Sequence, residues 1–100
     1  MSDNQDDEYE IVFIPEDIDG IKKGLDYVFN ENPLRYIAPM NFQYHGMGYL
    51  KAMSLIDLLG DAGLIKREHN GEPYKIMTSR EEIEKKLVQF IESELKKQEN

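Results

Sequence analysis

Residues 48–77 have the sequence GYLKAMSLIDLLGDAGLIKREHNGEPYKIM, and this stretch decides the fold. Its first half places four apolar residues at the i, i+3, i+4, i+7 spacing of one helical face. These residues are Ala52, Leu55, Ile56 and Leu59. Gly60 and Gly63 follow, and glycines at such places end a helix and redirect the chain. The pattern therefore predicts a helix over most of residues 49–59, with one face in the core.

The second half of the stretch predicts a β-hairpin. Short segments near residues 64–67 and 74–78 have strand character, and between them lies the polar sequence HNGEP, in which Gly71 and Pro73 favour a turn. A helix followed directly by a hairpin is the order found in winged helices. We therefore predict an α+β winged helix-turn-helix domain: a three-helix core with a β-hairpin wing, an N-terminal strand and an added C-terminal helix.

The sequence before this stretch supplies the first two of these elements. Residues 10–15, EIVFIP, have the β-branched content of a short strand that a proline ends. Asp17 or Asp19 can then cap a helix that ends near residues 30–33. Its apolar residues recur at helical spacing and are Ile18, Ile21, Leu25, Val28 and Phe29. A short strand within residues 34–37 and a short helix over residues 39–44 complete the helix-turn-helix.

The C-terminal segment predicts a long amphipathic helix over residues 79–97. Ser79 and Glu82 form a capping-box pattern at its start. Its apolar stripe consists of Ile83, Leu87, Phe90, Ile91 and Leu95. Because this stripe is longer than a small winged-helix core needs, we expect part of it to form a short two-fold homodimer contact.

The central stretch resembles the winged-helix gamma domain at the C-terminus of FtsK/SpoIIIE-type DNA translocases, from about residue 18 to residue 82. The matches to the family's Gly-Tyr-Asn-Arg-Ala, Leu-Ile-Asp, Gly-Ile-Ile and wing patterns are Gly48, Tyr49, Lys51, Ala52, Leu55, Ile56, Asp57, Leu59, Gly63, Leu64, Ile65, Gly71, Pro73, Ile76 and Met77. In the family this domain recognises short chromosomal sequences, so the resemblance implies DNA binding. Leu50 occupies the family's Asn position, and Gly46 and Ser54 occupy two commonly basic ones.

Charge divides the chain into two parts. The formal net charge is −8, and residues 1–20 account for all of it with eight acids and no base. Residues 33–80 carry six bases against four acids, which is a mild excess suited to a phosphate backbone. We predict a disordered acidic tail over residues 1–9 and a single domain over residues 10–100. The tail is interpreted either as a solubilising segment or as a competitor of DNA for the wing.

Several classes of protein lack support in the sequence. No apolar run approaches the ~20 residues of a membrane span, and the acidic N-terminus is unlike a secretory signal, so we expect no membrane partner and a cytoplasmic location. Cysteine is absent, and His45 and His69 lack a third ligand at metal spacing. No catalytic triad or glycine-rich phosphate loop can be identified. We therefore expect no enzyme, no cofactor and no metal.

Two binding functions remain open. The first is binding of double-stranded DNA through the helix at residues 48–59 and the wing at residues 64–78. Its candidate contacts are Lys51, Ser54, Lys66, Arg67, His69 and Lys75. The second is binding of a protein partner, as a small regulator or inhibitor, because a helical projection puts three apolar residues on the exposed face. These are Met47, Leu50 and Leu58.

Overall fold

A computed structural model describes residues 11–31, 35–71 and 73–98. The described elements are α1 (Glu16–Asn30), β1 (Tyr36–Ile37), α2 (Met40–Gln43), α3 (Tyr49–Asp61), β2 (Ile65–Lys66), β3 (Tyr74–Ile76) and α4 (Arg80–Gln98). The strands form an antiparallel sheet in the order β1-β3-β2. The predicted α+β class is confirmed, and the arrangement is compatible with a winged helix. The predicted tail over residues 1–9 lies outside the described residues.

The core forms where the apolar faces of the four described helices meet the inner face of the sheet. All four predicted core residues of α3 are completely buried, which confirms the pattern in the central stretch. They belong to one apolar cluster with Leu25 of α1, Phe42 of α2 and Ile37 of β1. No described helix is long and apolar enough to cross a membrane.

The hairpin forms as predicted, although its strands are shorter than expected. Ile65 pairs with Ile76 and Lys66 with Lys75, while the Met77 N–H donates to the Leu64 carbonyl at 2.9 Å. Because side chains alternate between the faces of a strand, each strand has one set in the core and one outside. Ile37, Ile65 and Ile76 are buried, whereas Tyr36, Lys66 and Lys75 lie on the exposed side, which we call the outer face of the sheet.

The predicted N-terminal strand is wrong for its described part, residues 11–14, which are irregular. The Phe13 side chain is buried and its ring meets that of Phe90 edge to face, with 5.5 Å between centroids. In the orientation of the Gln98 side-chain amide that satisfies both of its polar atoms, the amide nitrogen donates a hydrogen bond to the Phe13 carbonyl at 2.9 Å. The amide oxygen accepts one from the Phe13 N–H at 3.2 Å. A side chain at the end of α4 thus takes the place of a partner strand.

The start of α1 also differs from the prediction. Pro15 occupies the N-cap, so neither Asp17 nor Asp19 does. Instead, the Asp17 carboxylate reaches back and accepts a hydrogen bond from the Ile14 N–H at 2.8 Å. The helix ends at Asn30, within the expected range.

The C-terminal helix α4 begins at Arg80 and packs along α1. The hydroxyl oxygen of Ser79 accepts a hydrogen bond from the Glu82 N–H at 3.3 Å, as the capping pattern predicted. Arg80 forms ion pairs with Asp26 of α1 and Glu84 of α4, so it ties the two helices together. The apolar stripe of α4 faces its own domain: Ile83, Leu87 and Ile91 are fully buried, and Phe90 and Leu95 pack half-buried against them. This leaves little of the stripe for the expected homodimer contact.

Candidate functional site

Two lysines lie side by side on the outer face of the sheet. Lys66 of β2 and Lys75 of β3 are directly opposite each other in antiparallel register, and Tyr36 of β1 is paired with Lys75 on the other side. Like charges directly opposite on neighbouring strands destabilise a sheet. Among the described residues, neither ammonium has an ion-pair partner. This lysine pair therefore suits an anion supplied by another molecule.

The surface around the lysine pair is a shallow depression of ≈ 190 Å³. Its lining is Tyr36, Lys66, Glu68, Pro73, Lys75 and Met77. Among its described lining residues Glu68 is the one acid beside two lysines, so these residues together carry a net positive charge. Such a surface has room for a phosphate or carboxylate but no enclosed cavity for a small-molecule substrate.

Lys51 belongs to a different part of the molecule. Its ammonium lies 2.9 Å from the Asp17 carboxylate, and the two side chains are only 19% and 8% exposed. The same ammonium stands 5.5 Å from the centroid of the Phe13 ring. The half-buried Ser54 hydroxyl donates to the Lys51 carbonyl at 2.7 Å. Both residues are predicted DNA contacts, and the side chains of both have hydrogen-bond partners within the protein.

The remaining predicted DNA contacts are spread over the hairpin. The Arg67 guanidinium carbon lies over the Tyr74 ring, 4.7 Å from its centroid. Tyr74 alternates with Lys75 along β3 and therefore lies on the opposite side of the sheet from the lysine pair. His69 is exposed in the hairpin loop, and the described residues contain no group of three side chains able to hold a metal ion.

The predicted protein-binding surface does not form as expected. Met47 is only 4% exposed, because α3 begins at Tyr49 and Gly48 before it is extended. The helical projection therefore did not apply to Met47, whose side chain enters the core. Leu58 is half-buried and packs against the same core, whereas Leu50 is 55% exposed.

A different apolar surface lies between α2, the first half of α3 and the hairpin. It is a groove of ≈ 490 Å³, which we call the apolar groove. The residues that matter for its chemistry are Pro39, Met40, Tyr49, Met53, Arg67 and Tyr74. The local sequence pattern does not reveal this groove, although Tyr49 and Met53 are four residues apart on one side of α3. The signal was incomplete because the other walls come from distant parts of the chain.

Comparison with protein-family models, curated proteins and solved structures finds no match to this chain.

Proposed function

We propose that the chain is a small non-enzymatic winged-helix protein that binds duplex DNA through the outer face of its hairpin. The observation that carries this proposal is the lysine pair, Lys66 opposite Lys75, without an acid partner among the described residues. The arrangement of helices and strands, which is compatible with a winged helix, supports it, as does the resemblance to the translocase gamma domain.

The contacts would be made to phosphates more than to bases. The exposed positions of α3 are Tyr49, Leu50, Asp57 and Asp61. The Tyr49 hydroxyl is their single side-chain hydrogen-bond donor for a base edge or a phosphate. Two carboxylates on this helix repel a phosphate backbone. Contacts to phosphates position a protein on DNA without reading its sequence. We therefore propose binding of low sequence specificity, with the hairpin rather than α3 as the main contact.

The number of available lysines sets the expected salt dependence. If Lys66 and Lys75 each neutralise one phosphate, affinity for duplex DNA should fall about tenfold between about 50 mM and 200 mM salt. A protein that contacts many phosphates through basic residues loses far more affinity over the same range of salt concentration. The net charge of −8 lowers the overall affinity, so the measurement belongs at low salt.

Fluorescence anisotropy with a labelled duplex of random sequence tests this proposal. We expect Lys66→Gln/Lys75→Gln to abolish most of the binding and its salt dependence. The matched control is Lys85→Gln/Lys86→Gln, which removes the same charge from two exposed residues of α4. Equal loss of binding in both double variants would show that only net charge matters. That result, or no binding by the wild type, would refute the proposal.

A further inference from the structure

The apolar groove differs from the lysine pair in the chemistry of the side chains that it exposes. Its walls come from α2, α3 and the hairpin, and they surround an open volume of ≈ 490 Å³. Met40 and Tyr49 in these walls are 51% and 56% exposed. Methionine adapts its shape to a partner, and tyrosine offers a large contact area with few rotatable bonds. The groove therefore favours apolar side chains over a phosphate backbone.

Arg67 is the one charged side chain among the described residues that line the groove. Its guanidinium carbon lies over the Tyr74 ring, 4.7 Å from the ring centroid. No acid among the described residues forms an ion pair with it. A guanidinium over an aromatic ring still has N–H donors for a carboxylate, which it can bind through two parallel hydrogen bonds.

These features together define the ligand. From the exposed apolar walls and the single unpaired cation, we infer that the groove binds a short segment of a partner protein. That segment places apolar side chains against Met40, Tyr49 and Met53 and pairs one carboxylate with Arg67. Charge complementarity favours this ligand, because the groove presents one cation beside apolar walls. A partner segment that fits it carries one acid beside apolar side chains.

This site is independent of the proposed DNA contact. The lysine pair and Arg67 lie on opposite sides of the sheet, and the depression at the lysine pair shares only Pro73 with the apolar groove. A duplex on the outer face would leave the groove accessible. The chain would then connect DNA to a second protein, and each contact can be removed without the other.

Selection from a displayed library of random peptides of about twelve residues, roughly 40 Å when extended, provides a probe for a partner of unspecified sequence. We expect peptides enriched on the wild-type protein to carry an aspartate or glutamate next to bulky apolar residues. In an isotope-labelled sample, a selected peptide should shift the amide signals of Met40, Tyr49 and Met53 and leave that of Lys75 unchanged.

Two neighbouring residues of the hairpin supply the matched variants. Arg67→Gln should lower the affinity for the selected peptide by about tenfold or more, because a charge-assisted pair is lost. Lys66→Gln removes the same charge one residue away on the other side and should change affinity by less than about twofold. Arg67→Lys should restore only part of the binding, because lysine lacks the planar fork.

Three results would overturn the inference: no enrichment of peptides above an uncoated support, enriched peptides without carboxylates, or equal weakening by Arg67→Gln and Lys66→Gln. Thermal unfolding of each variant confirms that it is folded. DNA binding by the Arg67→Gln variant is measured in parallel. Because this variant retains the lysine pair, a loss of peptide binding with DNA binding retained separates this inference from the proposed DNA contact.

Discussion

At the scale of single residues, the contact between Asp17 and Lys51 shows how one lysine becomes structural. The Asp17 carboxylate accepts hydrogen bonds from the Ile14 N–H and from the Lys51 ammonium, and it is nearly buried. A buried carboxylate needs such partners, because its removal from water is costly. This pair joins the first turn of α1 to the first turn of α3, so Lys51 has a structural role.

Substitution of Lys51 should therefore affect stability more than binding. Lys51→Met leaves Asp17 with one donor, and we expect the free energy of unfolding to fall by about 2 kcal/mol, less than for a fully buried pair. Urea denaturation measures this change. The double variant Asp17→Asn/Lys51→Met removes the unpaired charge and should recover part of the loss. An unchanged urea midpoint in Lys51→Met would contradict the structural role, and the folded variant should bind DNA like the wild type.

At the scale of elements, glycine determines how closely α1 approaches α2. A Cβ atom on Gly24 would stand 2.8 Å from Cδ1 of Phe42 and 2.9 Å from the Asn41 carbonyl oxygen. Gly20, one turn earlier in the same helix, has its nearest neighbour at 3.6 Å, which is ordinary van der Waals contact. The two glycines therefore have different roles, although both are buried in α1.

The same substitution at these two glycines should have opposite effects on stability. Gly24→Ala forces α2 away from α1, and we expect a loss of about 1 to 3 kcal/mol from overpacking. Gly20→Ala fits the space and should gain up to about 1 kcal/mol from helix propensity. Thermal unfolding of both variants compares them directly. Stabilisation by Gly24→Ala would show that the α1 and α2 contact is looser than described.

At the scale of the whole molecule, α4 completes the core that the smaller elements leave open. Its buried residues lie in the same apolar cluster as those of α1 and α3, and Phe90 supports the buried Phe13 ring. The length of the apolar stripe in α4 is thus explained within one chain. An interface between copies would require apolar surface that this helix has already buried.

We accordingly expect the protein to sediment as a monomer at micromolar concentration. Phe90→Ala should remain monomeric and lose about 2 kcal/mol of stability, less than a fully buried phenylalanine, because Phe90 is half-buried. Analytical ultracentrifugation and urea denaturation measure these two properties. A wild-type dimer that Phe90→Ala dissociates without loss of monomer stability would restore the dimer contact predicted from the sequence.

The sequence by itself determined the elements whose signals are local. The spacing of Ala52, Leu55, Ile56 and Leu59 fixed the buried face of α3, Ser79 marked the start of α4, and the turn around Gly71 gave the hairpin. These signals were sufficient because a helical period, a cap and a turn each depend on residues close together in the chain. The α+β class follows from them.

Only the tertiary structure decided which side chains remain available for binding. Lys51 meets Asp17 from 34 residues away, Phe13 pairs with Gln98 in place of a strand, and Met47 turns into the core before α3 begins. The placement of Lys66 opposite Lys75 depends on strand register, and the apolar groove depends on three elements that meet in space. The physical reason is that charge and exposure depend on neighbours from distant parts of the chain, and a local pattern does not identify them.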